Sequence, residues 1–406
     1  GEIIISHCRR RNTVTSLHRF YIFYKMYMNI IVPYSLLNKF SIKNDKLKSL
    51  VNNYHCNYKM KFSEIVQKLG EAAVNSSLKN CPNLDPKIIG LTAIDEAATG
   101  TMSYIEGAKF ANALDTTTAN ALILPADESL QLKAQEKGIA WIAAKEPRLL
   151  FAKIINLFYQ PWQPAPEIHQ SAVIHESAKI GKDAYIGAHV VIQPNVENGD
   201  NVCIHPNVTI YPDVKIGDRT VLHANCTLHE RSRIGADCVI HSGTVIGAEG
   251  FGFVPTKEGW FKMEQSGYTV LEDGVEIGSN SAVDRPAVGE TRIGRNTIID
   301  NLVQIGHGTK VGFGCAIAGQ SATAGGVKIG NRVILAGQSG VANQVKIGDG
   351  AIVSAKAGVH SNVPPGEIVS GNPAIPYKIY LKSSAIIQKL PEMYQYIKKL
   401  QRKLKE

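Results

Sequence analysis

Aliphatic residues recur at every sixth position over roughly half of the chain. They run through Ile168, Ile174, Ile180, Ile186 and Ile192, and then from Ile204 through Ile210, Ile216, Leu222, Leu228, Ile234 and Ile240 to Ile246, with Asn198 as the break. After an interruption the period resumes at Leu271, Ile277 and Val283. It shifts phase across an insert near Pro286 to Glu290, and continues from Ile293 to Val359 with Thr323 as a polar rung. A helix would repeat at 3.6 residues and a plain strand at 2, so a sustained 6 predicts a short strand and a turn in every unit. Three units close one triangular coil, and stacked coils bury a continuous aliphatic column. Glycine commonly follows the rung, as at Gly181, Gly187, Gly217 and Gly235, where a corner without a Cβ is easiest to turn. The position four after the rung is small, and Cys226, Cys238 and Cys315 fill it, which assigns these thiols to packing.

The flanks differ in kind. From Met60 to about Gln163, a helix over Phe62–Leu69, strand segments over Ala121–Leu124 and Ala140–Ala143 and a helix over Pro147–Phe158 predict a small α/β domain. Beyond the ladder, Ile379 to Glu406 reads as helix, kinked or interrupted at Pro391 and basic toward its end. The expected organisation is a basic extension over 1–59, an α/β domain over 60–163, a mainly β, left-handed parallel β-helix of hexapeptide repeats over 164–375, and a C-terminal helical segment over 376–406.

Charge changes the picture only at one end. The formal charge is +9, but residues 1–59 hold ten Lys or Arg against Glu2 and Asp45, which accounts for eight of the nine. The main body has no polyanion signature, and nucleic acid is not an expected partner. The extension suits an organellar transit peptide. It equally suits sequence upstream of a start at Met60, so the expected location is a bacterial cytoplasm or, on the first reading, an organelle. Seven cysteines without a CxxC pair indicate neither a zinc ribbon nor a complete disulfide framework. The run Phe20 to Leu37 is broken by Lys25, Asn29 and Pro33, so the chain is expected to be peripheral to a membrane at most.

Four segments carry the sharpest motifs: Gly243-Thr-Val-Ile-Gly-Ala-Glu-Gly-Phe-Gly-Phe253, Ala282-Val-Asp-Arg285, Asp300-Asn-Leu-Val-Gln-Ile-Gly-His307 and Gly371-Asn-Pro373. Together with the flanking domains they resemble the UDP-3-O-acylglucosamine N-acyltransferase family of lipid A biosynthesis, within the hexapeptide-repeat acyltransferases. The resemblance runs from about Met60 to the C-terminus. It implies transfer of an acyl chain from acyl carrier protein to the 2-amino group of UDP-3-O-acylglucosamine by a homotrimer that uses no cofactor or metal.

An amine that is largely protonated near neutral pH must lose a proton to attack a thioester, so the chemistry needs a base. Histidine suits that role because its reference pKa lies near working pH. His307 stands where the family has its catalytic histidine. Asp300 and Asn301 are expected to orient the imidazole or line the sugar site, and a backbone N–H near Gly306 or from an adjacent coil is expected to face the oxyanion. By the same resemblance Phe251, Gly252, Phe253, Lys262 and Gln265 border the sugar or acyl site. The segment Thr101 to Phe110 resembles one that holds uracil, with Tyr104 and Phe110 as aromatic platforms and Lys109 near the diphosphate.

The sequence departs from the family at two places. Gln344 stands where a second histidine is common, and glutamine cannot titrate. Gly107 replaces a frequent Asn. Two other readings stay open: an O-acyltransferase on another UDP-sugar, and a zinc-dependent hydratase or noncatalytic β-helix scaffold. The second is kept by His205, His223 and His241, spaced by one coil, which are expected to stack along a prism edge.

Overall fold

The computed structural model describes residues 59–107, 112–372 and 376–404. The chain divides into two units between Trp162 and Gln163, taken separately below.

In the first unit, a five-stranded sheet runs in the order Asn75–Ser76, Ala140–Ala144, Ala121–Pro125, Thr101–Tyr104 and Gly90–Leu91, parallel except for the first strand. The helices are α1 (Phe62–Leu69), α2 (Ala113–Thr116), α3 (Glu128–Glu136) and α4 (Pro147–Phe158). Strand alternation divides the core between the two faces. Ile123 and Ile142 pack with Phe62 and Ile65 of α1 and Leu150 and Ile154 of α4, while Leu122, Leu124 and Trp141 pack with Leu130 and Ala134 of α3. The sequence pattern did not single out α3. Its start is set by Asp127, whose carboxylate accepts hydrogen bonds from the Ser129 and Leu130 amides at 2.9 and 3.3 Å.

The second unit is a parallel β-helix. Its described strands, most of two residues, form parallel sheets of 9, 11 and 10 strands. Each coil pairs in register with the next, as Ile186 with Ile204, Ile204 with Leu222 and Leu222 with Ile240. The rung residue points inward and is fully or almost fully buried from Ile186 onward. Cys226, Cys238 and Cys315 are buried in the same column, and burial pushes the Cys226 thiol up to about 12 and that of Cys238 to about 11.

The glycines after the rungs do another job than turning the corner. The positive φ falls two residues later, at Asp183, His189, Arg219 and Asp237, with φ between 53 and 59°. At Gly187 and Gly217 a Cβ would instead lie 2.8 and 2.5 Å from backbone nitrogen of the next coil. Glycine is needed at those two corners because backbone of the next coil lies where the side chain would begin.

The interruption of the period is a hairpin. Strand Val245–Glu249 runs out of the ladder, Phe253–Thr256 and Gly259–Lys262 pair antiparallel outside it, and Tyr268–Leu271 rejoins it. After the last rungs come α5 (Tyr377–Ile387) and α6 (Leu390–Lys403). The break falls before Pro391, which occupies the first turn of α6, where its missing N–H costs no helical bond. Among the described residues no helix is long and apolar enough to cross a membrane.

Candidate active site

The rung Ile305 anchors the ladder with its side chain inward, and the two residues after it carry the chain round the corner to His307. His307 is half-buried and lines a hollow of about 520 Å³ together with Glu249, Gly250, Phe251, Gly252, Phe253, Lys262, Asp284 and Gln304. Two glycines make room for its ring. A Cβ on Gly325, one coil on, would lie 2.5 Å from both Cε1 and Nε2 of the imidazole. A Cβ on Gly250, at the foot of the hairpin, would lie 2.5 Å from the His307 Cβ.

Two carboxylates line the hollow, Glu249 from the hairpin wall and Asp284 from the ladder. Asp284 accepts a hydrogen bond from Gln304 Nε2 at 2.8 Å. Burial raises its pKa, against the Gln304 hydrogen bond and the nearby His307 charge, both of which act to lower it. An acid group held near an imidazole in a partly dry hollow is the kind of pair that positions and tunes a base. Sequence reasoning quoted Asp284 only as part of a motif. Its signal was phase: Ala282 pairs with Gln304, so Asp284 stands one coil beneath Gly306.

The hairpin supplies the other wall. The Phe251 and Phe253 rings sit 5.2 Å apart and are exposed, Phe251 at 80%. Lys262 Nζ pairs with Glu249 at 2.8 Å and Glu264 at 3.5 Å. Gln265 is buried beneath Gly252, with Nε2 donating to the Met263 carbonyl at 2.7 Å and Oε1 without a partner among the described residues.

Three expected partners lie elsewhere within the chain. Asp300 accepts from the Gly319 amide at 2.9 Å and Asn301 from the Ser279 amide at 2.6 Å. Both line a separate hollow of about 650 Å³ with His241, Glu276, Ile298 and Ile334. The reason is arithmetic: Asp300 follows the rung Ile299 at the corner after one sheet, whereas His307 follows Ile305 at the corner after another. Gln344 is exposed at a positive-φ corner, beside Gly326. The Gly306 amide is also committed, to the carbonyl and hydroxyl of Thr323 at 3.1 and 3.0 Å.

In the first unit Tyr104 is half-buried, its ring 4.9 Å from that of Phe151. Lys109 and Phe110 lie outside the described residues, as does Pro373. The His205, His223 and His241 rings stack 5.0 Å apart and within 5° of parallel. Parallel rings direct their nitrogens alongside one another rather than toward one point. Among the described residues no group of three His, Cys, Asp or Glu side chains is arranged to hold a metal ion. His241 Nε2 instead meets Glu276 Oε1 at 2.8 Å.

A family model for UDP-3-O-(3-hydroxymyristoyl) glucosamine N-acyltransferase, LpxD, matches residues 85–157, and one for the GMPPB C-terminal domain matches residues 168–250. The chain is 70% identical over 346 residues to a UDP-3-O-acylglucosamine N-acyltransferase of Nostoc punctiforme, covering 85% of this chain and 99% of that one. It is 66% identical over 347 residues to one of Rippkaea orientalis, covering 86% of this chain and 100% of that one. Among solved structures, an Arabidopsis UDP-N-acetylglucosamine acyltransferase superposes with a TM-score of 0.47 at 24% identity, over 50% of this chain and 71% of that one.

Proposed function

Because the chain belongs to the UDP-3-O-acylglucosamine N-acyltransferases, acyltransferases of the lipid A route, we propose that His307 is its general base and that acyl carrier protein is its donor. The observation that carries this reading is the placement of the imidazole: seated between two glycines, beside Asp284, in an open hollow walled by Phe251, Phe253 and Lys262. The acceptor amine attacks the thioester carbonyl. A C–N bond forms, the imidazole removes the amine proton, and as the C–S bond breaks that proton passes to the departing thiol. Asp284 steadies the imidazolium formed between those steps.

An oxyanion needs a backbone donor. The Gly306 amide is bonded to Thr323, whereas the Gly325 N–H has no hydrogen-bond partner among the described residues and belongs to the glycine under the ring. We assign it that role. Lys262 suits an anionic part of the acceptor, and the uridine is assigned to the segment around Tyr104. The chemistry as proposed uses no cofactor or metal.

A homotrimer is proposed from the exposed apolar face of α6. Leu390, Met393, Ile397, Leu400 and Leu404 are all exposed at alternating spacings of three and four, the seam of helices that associate. Lys398, Lys399, Arg402 and Lys403 beside them favour an acidic carrier.

The test is acyl transfer from a panel of acyl carrier proteins to UDP-3-O-acylglucosamine by the parent chain and its His307→Ala variant. Transfer by the parent, with a loss of about three orders of magnitude or more in the variant, is the expected result. A folded parent that transfers nothing, or a variant as active as the parent, would overturn the assignment.

A further inference from the structure

The hairpin that carries Phe253 and Lys262 into the hollow has only four residue pairs of its own, from Phe253 with Lys262 to Thr256 with Gly259. A two-stranded ribbon of that size has little independent stability, so its position is set where it leaves and rejoins the ladder. Both crossings converge on one side chain. Arg285 donates from Nε to the Gln265 carbonyl at 2.8 Å, on the returning leg, and from Nη1 to the Gly247 carbonyl at 3.3 Å, on the outgoing leg. Its Nη1 also pairs with Glu230, two coils back, at 2.8 Å, and Nη2 with Glu249 of the outgoing leg at 3.5 Å. The Arg285 carbonyl takes the Gly250 amide at 3.1 Å. The side chain is only 8% exposed.

Glu249 then extends the link outward, because its second oxygen holds Lys262 Nζ at 2.8 Å. A planar fork with fixed donor directions can join two carbonyls and two carboxylates at once, and an ammonium cannot. We propose that Arg285 is a positioning residue for the transfer reaction. It clamps the two legs of the hairpin and, through Glu249, sets where Lys262 and Phe253 stand relative to His307. The proposal rests on the reading of the His307 hollow as the acceptor site.

The test compares the full-length parent with Arg285→Met, Arg285→Lys and Glu230→Gln. Two quantities are read: KM and kcat with the sugar nucleotide varied, and hydrogen exchange of the amides in 250–265 against those of the rungs around Ile305. Arg285→Met is expected to raise KM by about tenfold with a smaller fall in kcat, and to speed exchange in the hairpin while the rungs keep their protection. Arg285→Lys is expected to restore thermal stability but not hairpin protection, which ties the effect to the fork rather than the charge. Glu230→Gln, which removes one carboxylate outside the hollow, is expected to move both readouts in the same direction by less, and it carries the test if Arg285→Met does not fold. Hairpin exchange and KM both at parent values, or exchange raised evenly through the coils with KM unmoved, would overturn the proposal. Exchange is measured without substrate, so a parent that transferred no acyl group would defeat the acceptor-site reading while leaving the clamp to be judged by itself.

Discussion

Replacing Gly325 with alanine puts a methyl group under the His307 imidazole and changes little else. The new Cβ would stand 2.5 Å from Cε1 and Nε2, where ordinary contact begins at 3.4 Å, so the ring must retreat by about 0.9 Å. Gly325 does not have the left-handed backbone that alanine resists, and so the substitution carries no conformational penalty of its own. A shift of about 1 Å at a base costs on the order of a hundredfold in rate. The assay is kcat at saturating sugar nucleotide, with the melting temperature as a check on folding. Gly340→Ala is the control: it also lies in the ladder, and its Cβ would meet nothing within 4 Å. The expected result is a kcat lowered by about two orders of magnitude for Gly325→Ala at a melting temperature close to that of the parent, and a parental kcat for Gly340→Ala. A Gly325→Ala variant with parental kcat would show that the imidazole in this pose is not the reacting group.

Other outcomes follow from the same geometry. Asn198 occupies a rung position with both amide atoms buried and unpartnered among the described residues, so Asn198→Leu is expected to stabilise the chain by about 1–3 kcal/mol, read as a higher denaturation midpoint; a lower one would show that the amide has a hidden role. Ile277→Ala, fully buried in the column, is expected to cost about 2–5 kcal/mol in the same measurement. Glu290 is held at about 2, below its ordinary 4.5, mainly by its hydrogen bond to Arg292 and also by Lys310. A depressed folded pKa adds stability that is complete above the ordinary value and is lost as pH falls through the folded one. Unfolding titrations should therefore show the parent losing stability between pH 4.5 and about 2, and Glu290→Gln losing less over that window. An identical pH profile for the two chains would count against the pairing.

The ladder was legible because the inward residue of each two-residue strand must be aliphatic, and the coil closes at a fixed number of residues. The same regularity made the hairpin visible as a gap. What it hid was the reason for the glycines, since a corner glycine that avoids a clash looks in sequence like one that turns a corner. The Asp300 placement followed from treating seven residues as nearly one rung, when one extra residue and one extra corner move a side chain to a different edge. Asp284 and Arg285 were harder still. The insert after Arg285 stretches that coil, so Ala282 pairs with Gln304 at a separation of 22 residues rather than the 18 between Ile186 and Ile204, and counting by coils passes over them. A guanidinium buried by a hairpin's two legs leaves no periodic trace at all.

The linear stacking of coils has a consequence for how the molecule comes apart. Each coil is braced only by the one on either side, so disruption proceeds inward from the ends as in a one-dimensional array. The terminal strands, Glu167–Ile168 at one end and Ile368–Val369 at the other, are largely solvated. The coil bearing His307 lies between two arms of intact neighbours: its strand, Gln304–Ile305, is bonded to Ala282–Arg285 on one side and Ala322–Thr323 on the other, with further coils beyond each. Fraying that removes a coil from either tip would leave the imidazole and the glycines around it untouched. Resistance to opening should thus rise from both tips toward the middle, and the coil bearing His307, whose strand is fourth from one end of the ten in its sheet, is reached only after three outer strands of that sheet have been lost.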